Sequence, residues 1–424
     1  MKSNLQFPLV VALAVIAGAG TAAAADWSHI AGPALDRKST ESIPTAWPKG
    51  GPRKVWEVSA NGGFSSFVTG AGRAYTVVSG RGGEGGRETV LAVDRQTGRT
   101  LWESPLGSAR YSQGGDRGAP GNDGGDGPRA TPVFADNRLF VFGANFDLYA
   151  LDAASGKIIW KHDLIREFGG SALHWQNAAS PLVIGDRVLV AGGGRGQAYL
   201  AFRPDNGAVL WKAGNDRPTY STPIIATIHG RVQAIFMVER GLVSRDPVDG
   251  RELWHYPFPY RTATAASPVV WNDIVHCTAG YGVGGGACQV ALKGSAWEVT
   301  ELWRSPGNRD TAAHWSTPVA HDGFLYGCYG HGEYGSGAFK CIDIRTGKVR
   351  WQKPGFGHGQ VIMAGDRLLA TSDAGDLVLI EPTPAGYREL AKTDVIEGKV
   401  WASPALSDGQ ILVRSTKKGI CLQL

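Results

Sequence analysis

Methionine is nearly absent from this chain, with 3 in 424 residues, and cysteine is sparse, with 5. Long apolar stripes at i, i+3 and i+4 are missing throughout, which excludes a helix-bundle core. The cysteines show no C-x-x-C spacing, which removes zinc ribbons, and no two of them are adjacent. The net charge of +5 is spread along the chain without a basic block. Nucleic-acid binding needs a clustered basic stripe, so that class of function is excluded. No Gly-rich stretch leads from a strand into a helix, the context that phosphate-cradling motifs require. Beyond the first twenty residues no apolar run is long enough to cross a membrane.

What is there begins with MKSNLQFPLVVALAVIAGAGTAAAAD. One Lys precedes an apolar run that ends in small residues, the pattern of a secretory signal peptide over residues 1–25. Cleavage is expected before Asp26, and no Cys follows to accept a lipid. The reading is therefore a periplasmic or secreted monomer without a membrane anchor. Disulfides are permitted in such a compartment. Cys277 and Cys288 flank one Gly-rich loop, and Cys328 and Cys341 flank another. Either each pair is bridged across neighbouring strands, or all are buried free thiols. Cys421 has no partner in this scheme.

Glycine (60) and tryptophan (14) are abundant, and they recur together. TVLAVDRQTGRTLW at 89–102 returns as LYALDAASGKIIW, YLAFRPDNGAVLW, GLVSRDPVDGRELW and FKCIDIRTGKVRW, with weaker copies at 289–303 and 377–390. An apolar strand ends at Asp94, Asp152, Asp246 or Asp343. Gly98, Gly156, Gly207, Gly250 and Gly347 then supply the φ > 0 residue that returns the chain. The second strand closes in Trp102, Trp160, Trp211, Trp254, Trp303 or Trp351. A flat ring at a fixed point of each repeat predicts a wedge between repeats, burying about 150–250 Å² per aromatic.

A second unit precedes each hairpin: Ser/Thr-Pro, an apolar pair, a turn and another apolar strand. It occurs at Thr131, Ser180, Thr222, Ser267, Thr317 and Ser403, each followed by Pro, with degenerate versions near Ser66 and Gln360. Pro suits the first residue of a strand, where no ladder donor is needed. Four short strands over about 40–50 residues make the blade of a β-propeller. Eight such starts predict an all-β, eight-bladed β-propeller of four-stranded antiparallel blades. The last blade runs out of chain after three strands, so RKVWEVS at 53–59, with Trp56, is expected to supply its fourth and remove an open edge. Residues 26–52 form an N-terminal extension without strand pattern, and 53–424 form a single propeller.

These D-x-x-T/S-G-x-x-x-W hairpins and [ST]-P-x-V strands resemble the tryptophan-docking repeat of the pyrroloquinoline-quinone (PQQ)-like propellers. That superfamily includes quinoprotein alcohol dehydrogenases and the propeller subunit of the outer-membrane β-barrel assembly machinery. The chain is more similar to exported, stand-alone PQQ-binding-like β-propeller repeat proteins, through TAWPKGGPRKVWE, GPRATPVF and GYRELA, over residues 40–424. The resemblance implies two roles: a binding module, or a dehydrogenase holding PQQ with calcium. The dehydrogenases sandwich their quinone between a Trp and a vicinal Cys-Cys disulfide, and no such pair occurs here.

In a propeller, the loops that enter the innermost strands meet around the mouth of the central channel. The residues just ahead of each Ser/Thr-Pro step are Phe64, Arg129, His174, Trp175, Asn177, Tyr220, Thr264, His314, Trp315, His358 and Trp401. The loop YGHGEYGSG adds His331, Glu333 and Tyr334. Three chemistries suit this set. His314, His331 and His358 with Glu333 could hold a metal or move protons. Trp175, Trp315 and Trp401, flanked by Arg129 and Asn177, could stack a carbohydrate or other ring-shaped small molecule, as the ligand of a binding module or the substrate of a carbohydrate-active enzyme. The same mouth could engage an envelope protein. The insertion at 108–128, with Asp116, Asp123 and Asp126, misses the EF-hand register and reads as a loop over the mouth.

Overall fold

A computed structural model describes residues 26–80, 86–109, 127–308, 310–330 and 337–424. The expected signal peptide, most of the 108–128 insertion, and His331, Glu333 and Tyr334 lie outside the described residues. The described chain forms eight four-stranded antiparallel blades, one of them extended by a fifth strand. Blades 1 to 7 span residues 68–108, 133–163, 182–213, 224–257, 269–305, 319–353 and 360–394. Blade 8 combines the strands Ala405–Ser407, Gln410–Arg414 and Lys418–Gln423 with Arg53–Ser59. Its closing register pairs Arg53 with Gln423 and Trp56 with Cys421, so the two chain ends latch the ring as the repeats predict.

Every fourth strand carries a β-bulge at the same place. In seven of the eight the residue just before a tryptophan is skipped, and the indole is set opposite a small residue of the third strand; in blade 7 the position is Ala391. Trp102 faces Ala92, Trp160 faces Ala150, Trp211 faces Ala201, and Trp303 faces Ala287. A bulge sharpens local twist and re-aims one side chain. Here it turns each ring out of its own sheet towards the next blade.

The wedge role holds at six of the eight seams. Trp56 donates Nε1–H to the Arg95 carbonyl at 2.7 Å, Trp160 to Pro204 at 3.0 Å, and Trp211 to Pro247 at 3.0 Å. Trp303 donates to Ile344 and Trp351 to Thr383, both at 2.8 Å. Trp102 packs on Gly156. The receiving glycines sit at φ of 70–75°, and a Cβ on Gly98 or Gly207 would collide with the docked ring. Trp254 departs from the pattern. Its ring joins the core shared with blade 5, but its Nε1–H donates within its own blade, to Gln233 Oε1 at 2.6 Å; blade 5 turns tightly at Lys293–Ala296 and offers no Asp-to-Gly turn.

The Ser/Thr-Pro steps stitch the blades around the channel. Ser66 N donates to Thr131 Oγ1 at 2.9 Å, Thr131 N to Ser180 Oγ at 3.0 Å, and Ser180 N to Thr222 Oγ1 at 2.9 Å. Ser267 N reaches Thr317 Oγ1 at 2.9 Å, and Ser403 N reaches Ser66 Oγ at 2.7 Å. The other seams use Ser221 Oγ to the Ala266 carbonyl and Ser316 Oγ to the Gly359 carbonyl, both at 2.9 Å. Gln360 Nε2 bridges the Trp315 and Trp401 carbonyls at 3.3 and 3.1 Å.

One open alternative is decided and one expectation is corrected. The cysteines are free and buried. Cys277 stands opposite Gly286, and Cys288 opposite Val275, so that pair is diagonal across the ladder; Cys328 and Cys341 are offset in the same way. Diagonal neighbours sit about 7–8 Å apart, beyond the Cα separation of about 4.4–6.8 Å that a disulfide spans. Cys341 and Cys421 instead fill the small-residue position opposite Trp351 and Trp56. The N-terminal extension is also not strandless. Lys38–Ser39 pairs in parallel with Met363–Ala364 and adds a fifth strand to blade 7.

That extension runs against the inner strands from the face opposite the mouth. Trp27 is buried and exchanges hydrogen bonds with Thr69 in blade 1, and the Ser28 carbonyl accepts from Phe134 N in blade 2. Arg37 Nη1 reaches Ser403 Oγ in blade 8 at 3.0 Å.

Candidate functional site

The predicted mouth residues form one line of rings. Phe64 stacks on Trp401 with centroids 4.6 Å apart, and Trp401 lies 4.3 Å from Trp315. Trp315 sits between His314 at 4.8 Å and His358 at 5.1 Å. His314 then meets Tyr281 edge-on at 4.9 Å, and Tyr281 stacks on Trp175 at 6.1 Å with an interplanar angle of 13°. His174 and Tyr220 flank Trp175 at 4.8 and 6.1 Å. The rings of Phe64, Trp175, Tyr281, His314, Trp315 and Trp401 are all half-buried. Each therefore leaves surface available for stacking.

Local structure explains these positions. Asp163 caps a short helix, Leu164–Phe168, by accepting from Ile165 N and Arg166 N, and Gly169 at φ 64° ends it. The chain then delivers Trp175 to the rim, where Gln176 turns at φ 62°. Arg129 donates to the Trp175 carbonyl at 2.8 Å, and Trp175 N donates to Tyr220 Oη at 3.1 Å. The loop is thus clamped from both neighbouring blades. Trp401 is held by Nε1 donation to Asp373 at 2.7 Å, with the Lys399 ammonium 4.7 Å over its ring.

Not every predicted residue faces the mouth. Asn177 is buried and its amide serves the backbone, donating to the Phe142 and Ala179 carbonyls and accepting from Ala179 N. Tyr220 and His358 are also buried, and Thr264 is fully so; they support the rim from below. Arg129 is half-buried, and His174 is exposed at the outer edge. The proposed metal set cannot be assembled here, because His331 and Glu333 lie outside the described residues. Among the described residues no three His, Cys, Asp or Glu side chains come together as a metal site. Tyr281 was not singled out from the sequence. It sits at φ 54° in the AGYGVGGGA loop, and a large aromatic in a left-handed position among glycines was the signal available.

Residues 86–353 match the family described as outer membrane protein assembly factor BamB. The chain belongs to this family. It is 25% identical to the outer membrane protein assembly factor BamB of Shewanella oneidensis over 257 residues, 58% of this chain. That match spans 62% of the relative's own length. Among solved structures, BamB from Moraxella catarrhalis superposes with a TM-score of 0.58 at 13% identity, covering 88% of this chain and 97% of that one. The quinohemoprotein alcohol dehydrogenase of Comamonas testosteroni gives a TM-score of 0.65 at 14% identity, covering 93% and 80%. At these identities both structures share the fold alone.

The residues present do not fit a resident quinone. Its sandwich calls for a vicinal cysteine pair, whereas Cys277, Cys288, Cys328, Cys341 and Cys421 are separate and buried. Burial pushes the Cys421 and Cys341 thiols up to about 12, so they act as small apolar groups. Among the described residues no helix is long and apolar enough to cross a membrane.

Proposed function

We propose that this protein is an exported binding module of the cell envelope that engages a protein partner through the aromatic mouth of its channel. The observation that carries the reading is the unbroken line from Phe64 through Trp401, Trp315, His314 and Tyr281 to Trp175. Half-buried, rigid aromatic rings are what interface hot spots are built from. Membership of the BamB family favours a protein partner over catalysis, and the periplasm as the compartment.

The test is a double substitution, Trp315→Ala with Trp401→Ala. Both side chains are half-buried, so the propeller should still fold, judged by a cooperative melt. Partner capture from envelope extracts should fall at least tenfold. Undiminished capture by the folded variant would sink the reading. A second reading, a carbohydrate stacking on Trp175, Trp315 and Trp401, rests on the same rings. It predicts tryptophan fluorescence changes on adding oligosaccharide, with no protein partner required. Quinone-dependent oxidation is the enzymatic rival. Dye-linked oxidation of alcohols after adding PQQ and calcium would revive it.

A further inference from the structure

Among the described residues three arginines are buried, and their surroundings differ. Arg414 donates to the Ser65 carbonyl at 2.7 Å, Val77 at 2.6 Å and Thr76 Oγ1 at 2.7 Å, and also to Gly62. Arg245 lies against Glu252 and Asp216 at 3.2 and 3.7 Å. Arg37 is 4% exposed, donates once to Ser403 Oγ, and its Nε makes no hydrogen bond. Among the described residues no carboxylate pairs with it. Burial without a counter-charge pulls its guanidinium down to about 10.

Arg37 lines a channel cavity of about 380 Å³, left between the N-terminal segment and the inner strands of blades 4, 5 and 6. Ser267 and Thr317 add hydroxyls, while Ala31, Pro268 and Val269 add apolar walls. Ala34 and Asp36 stand exposed at its rim. The other charged groups do not answer Arg37. Asp36 accepts from Lys38 N at 3.1 Å at the exposed rim. His29 is held neutral, pushed down to about 3 by burial and then by Arg37 itself. Leu35 and Arg37 both adopt left-handed backbone, at φ 61° and 64°. For bulky residues that conformation is strained, and such strain concentrates where a side chain must be aimed.

We infer that this cavity is a binding site for a small organic carboxylate, held by the Arg37 guanidinium with its carbon skeleton against the apolar walls. A planar carboxylate matches the guanidinium fork, and an unpaired buried cation is the group that such an anion stabilises. The site lies within the channel, with Ser267 and Thr317 of two Ser/Thr-Pro steps in its wall, and does not depend on the function proposed for the mouth.

Thermal unfolding of the full chain in sodium succinate, sodium phosphate and sodium chloride at matched ionic strength tests this. Succinate should raise Tm by several degrees, saturably, and more than phosphate; chloride should give no saturable rise. Arg37→Met should abolish the succinate response while remaining folded in chloride. Ala34→Glu, at the exposed rim, should weaken succinate binding several-fold by repulsion, and this variant decides the matter if Arg37→Met does not fold. The Trp315→Ala/Trp401→Ala protein should keep the full response, which separates this site from the mouth. No succinate response in the unmodified chain, or an undiminished one in Arg37→Met or Ala34→Glu, would overturn the inference. An equal response to phosphate would overturn the carboxylate assignment.

Discussion

The seam between blades 2 and 3 and the seam between blades 7 and 8 solve one packing problem in opposite ways. At the first, the bulged fourth strand of blade 2 aims Trp160 at the Gly207 turn, and its indole donates to the Pro204 carbonyl. At the second, blade 7 places Ala391 where the tryptophan belongs, opposite Leu379, so the large and small residues have exchanged strands. The reason lies in the receiver. Blade 8 closes by pairing Lys418–Gln423 with Arg53–Ser59 from the other chain end, so no third-to-fourth turn exists there to accept a ring. Trp254 at the 4/5 seam teaches the same rule, since its receiving turn is reduced to Lys293–Ala296. The indole N–H is directed to the next blade only where a turn can take it.

The largest effect is expected from removing a docked ring. Trp160→Ala should cost about 3–5 kcal/mol in denaturant unfolding; a loss below about 1 kcal/mol would erase the distinction between the seams. Acid comes next. His276 is buried beneath Trp303 at the docked 5/6 seam, with centroids 5.7 Å apart, and donates Nδ1–H to the Gly286 carbonyl. Burial pushes it down to about 4. Below pH 6.5 the unfolded state takes up a proton that the native state refuses. Stability should therefore fall steadily from pH 6.5 towards 4, and His276→Gln should make that slope shallower. An unchanged slope would show that His276 does not titrate as placed.

Gly207→Ala should cost about 1–3 kcal/mol, because the residue sits at φ 72° against Trp160. At the undocked 4/5 seam the equivalent lever is internal. Gln233→Leu strands the Trp254 Nε1–H and the Ser244 hydroxyl, a cost of about 1–2 kcal/mol. The smallest effect belongs to the thiols. Reductant should leave Tm unchanged, and Cys421→Ala should cost under about 1–2 kcal/mol as a small-for-small exchange beneath Trp56. A drop on reduction would restore the disulfides.

Much of this was legible because hairpins are local. Asp94, Gly98 and Trp102 lie within nine residues of one another, and their spacing alone demands a turn with φ > 0. The ring closure followed from counting strands. Unread were the features that depend on what lies across a seam. The Ser and Thr of the Ser/Thr-Pro steps look like strand starts, and the hydroxyls of Thr131, Ser180, Thr222 and Thr317 prove to be acceptors for the preceding blade. Cys341 could be half of a disulfide and Cys421 has no partner in the sequence, yet both are the small residues that two indoles require. At the mouth, the Ser/Thr-Pro steps located Trp175, His314, Trp315 and Trp401 because every blade repeats the same entry. Asn177 was misjudged, since whether an amide points outward or back to its own loop is decided by three-dimensional partners. Tyr281 was missed because it belongs to a different loop set. The N-terminal segment carries no repeat at all, so nothing local announced that Arg37 would be buried in the channel.

The claim that the mouth is the working face can be tested by placing a photo-crosslinking amino acid at Trp401 and, in a second protein, at Val248, an exposed residue outside the mouth. Irradiation in the native envelope should yield one discrete protein adduct from position 401 and none from 248. Adducts from 248 alone, or none from either position, would contradict the account.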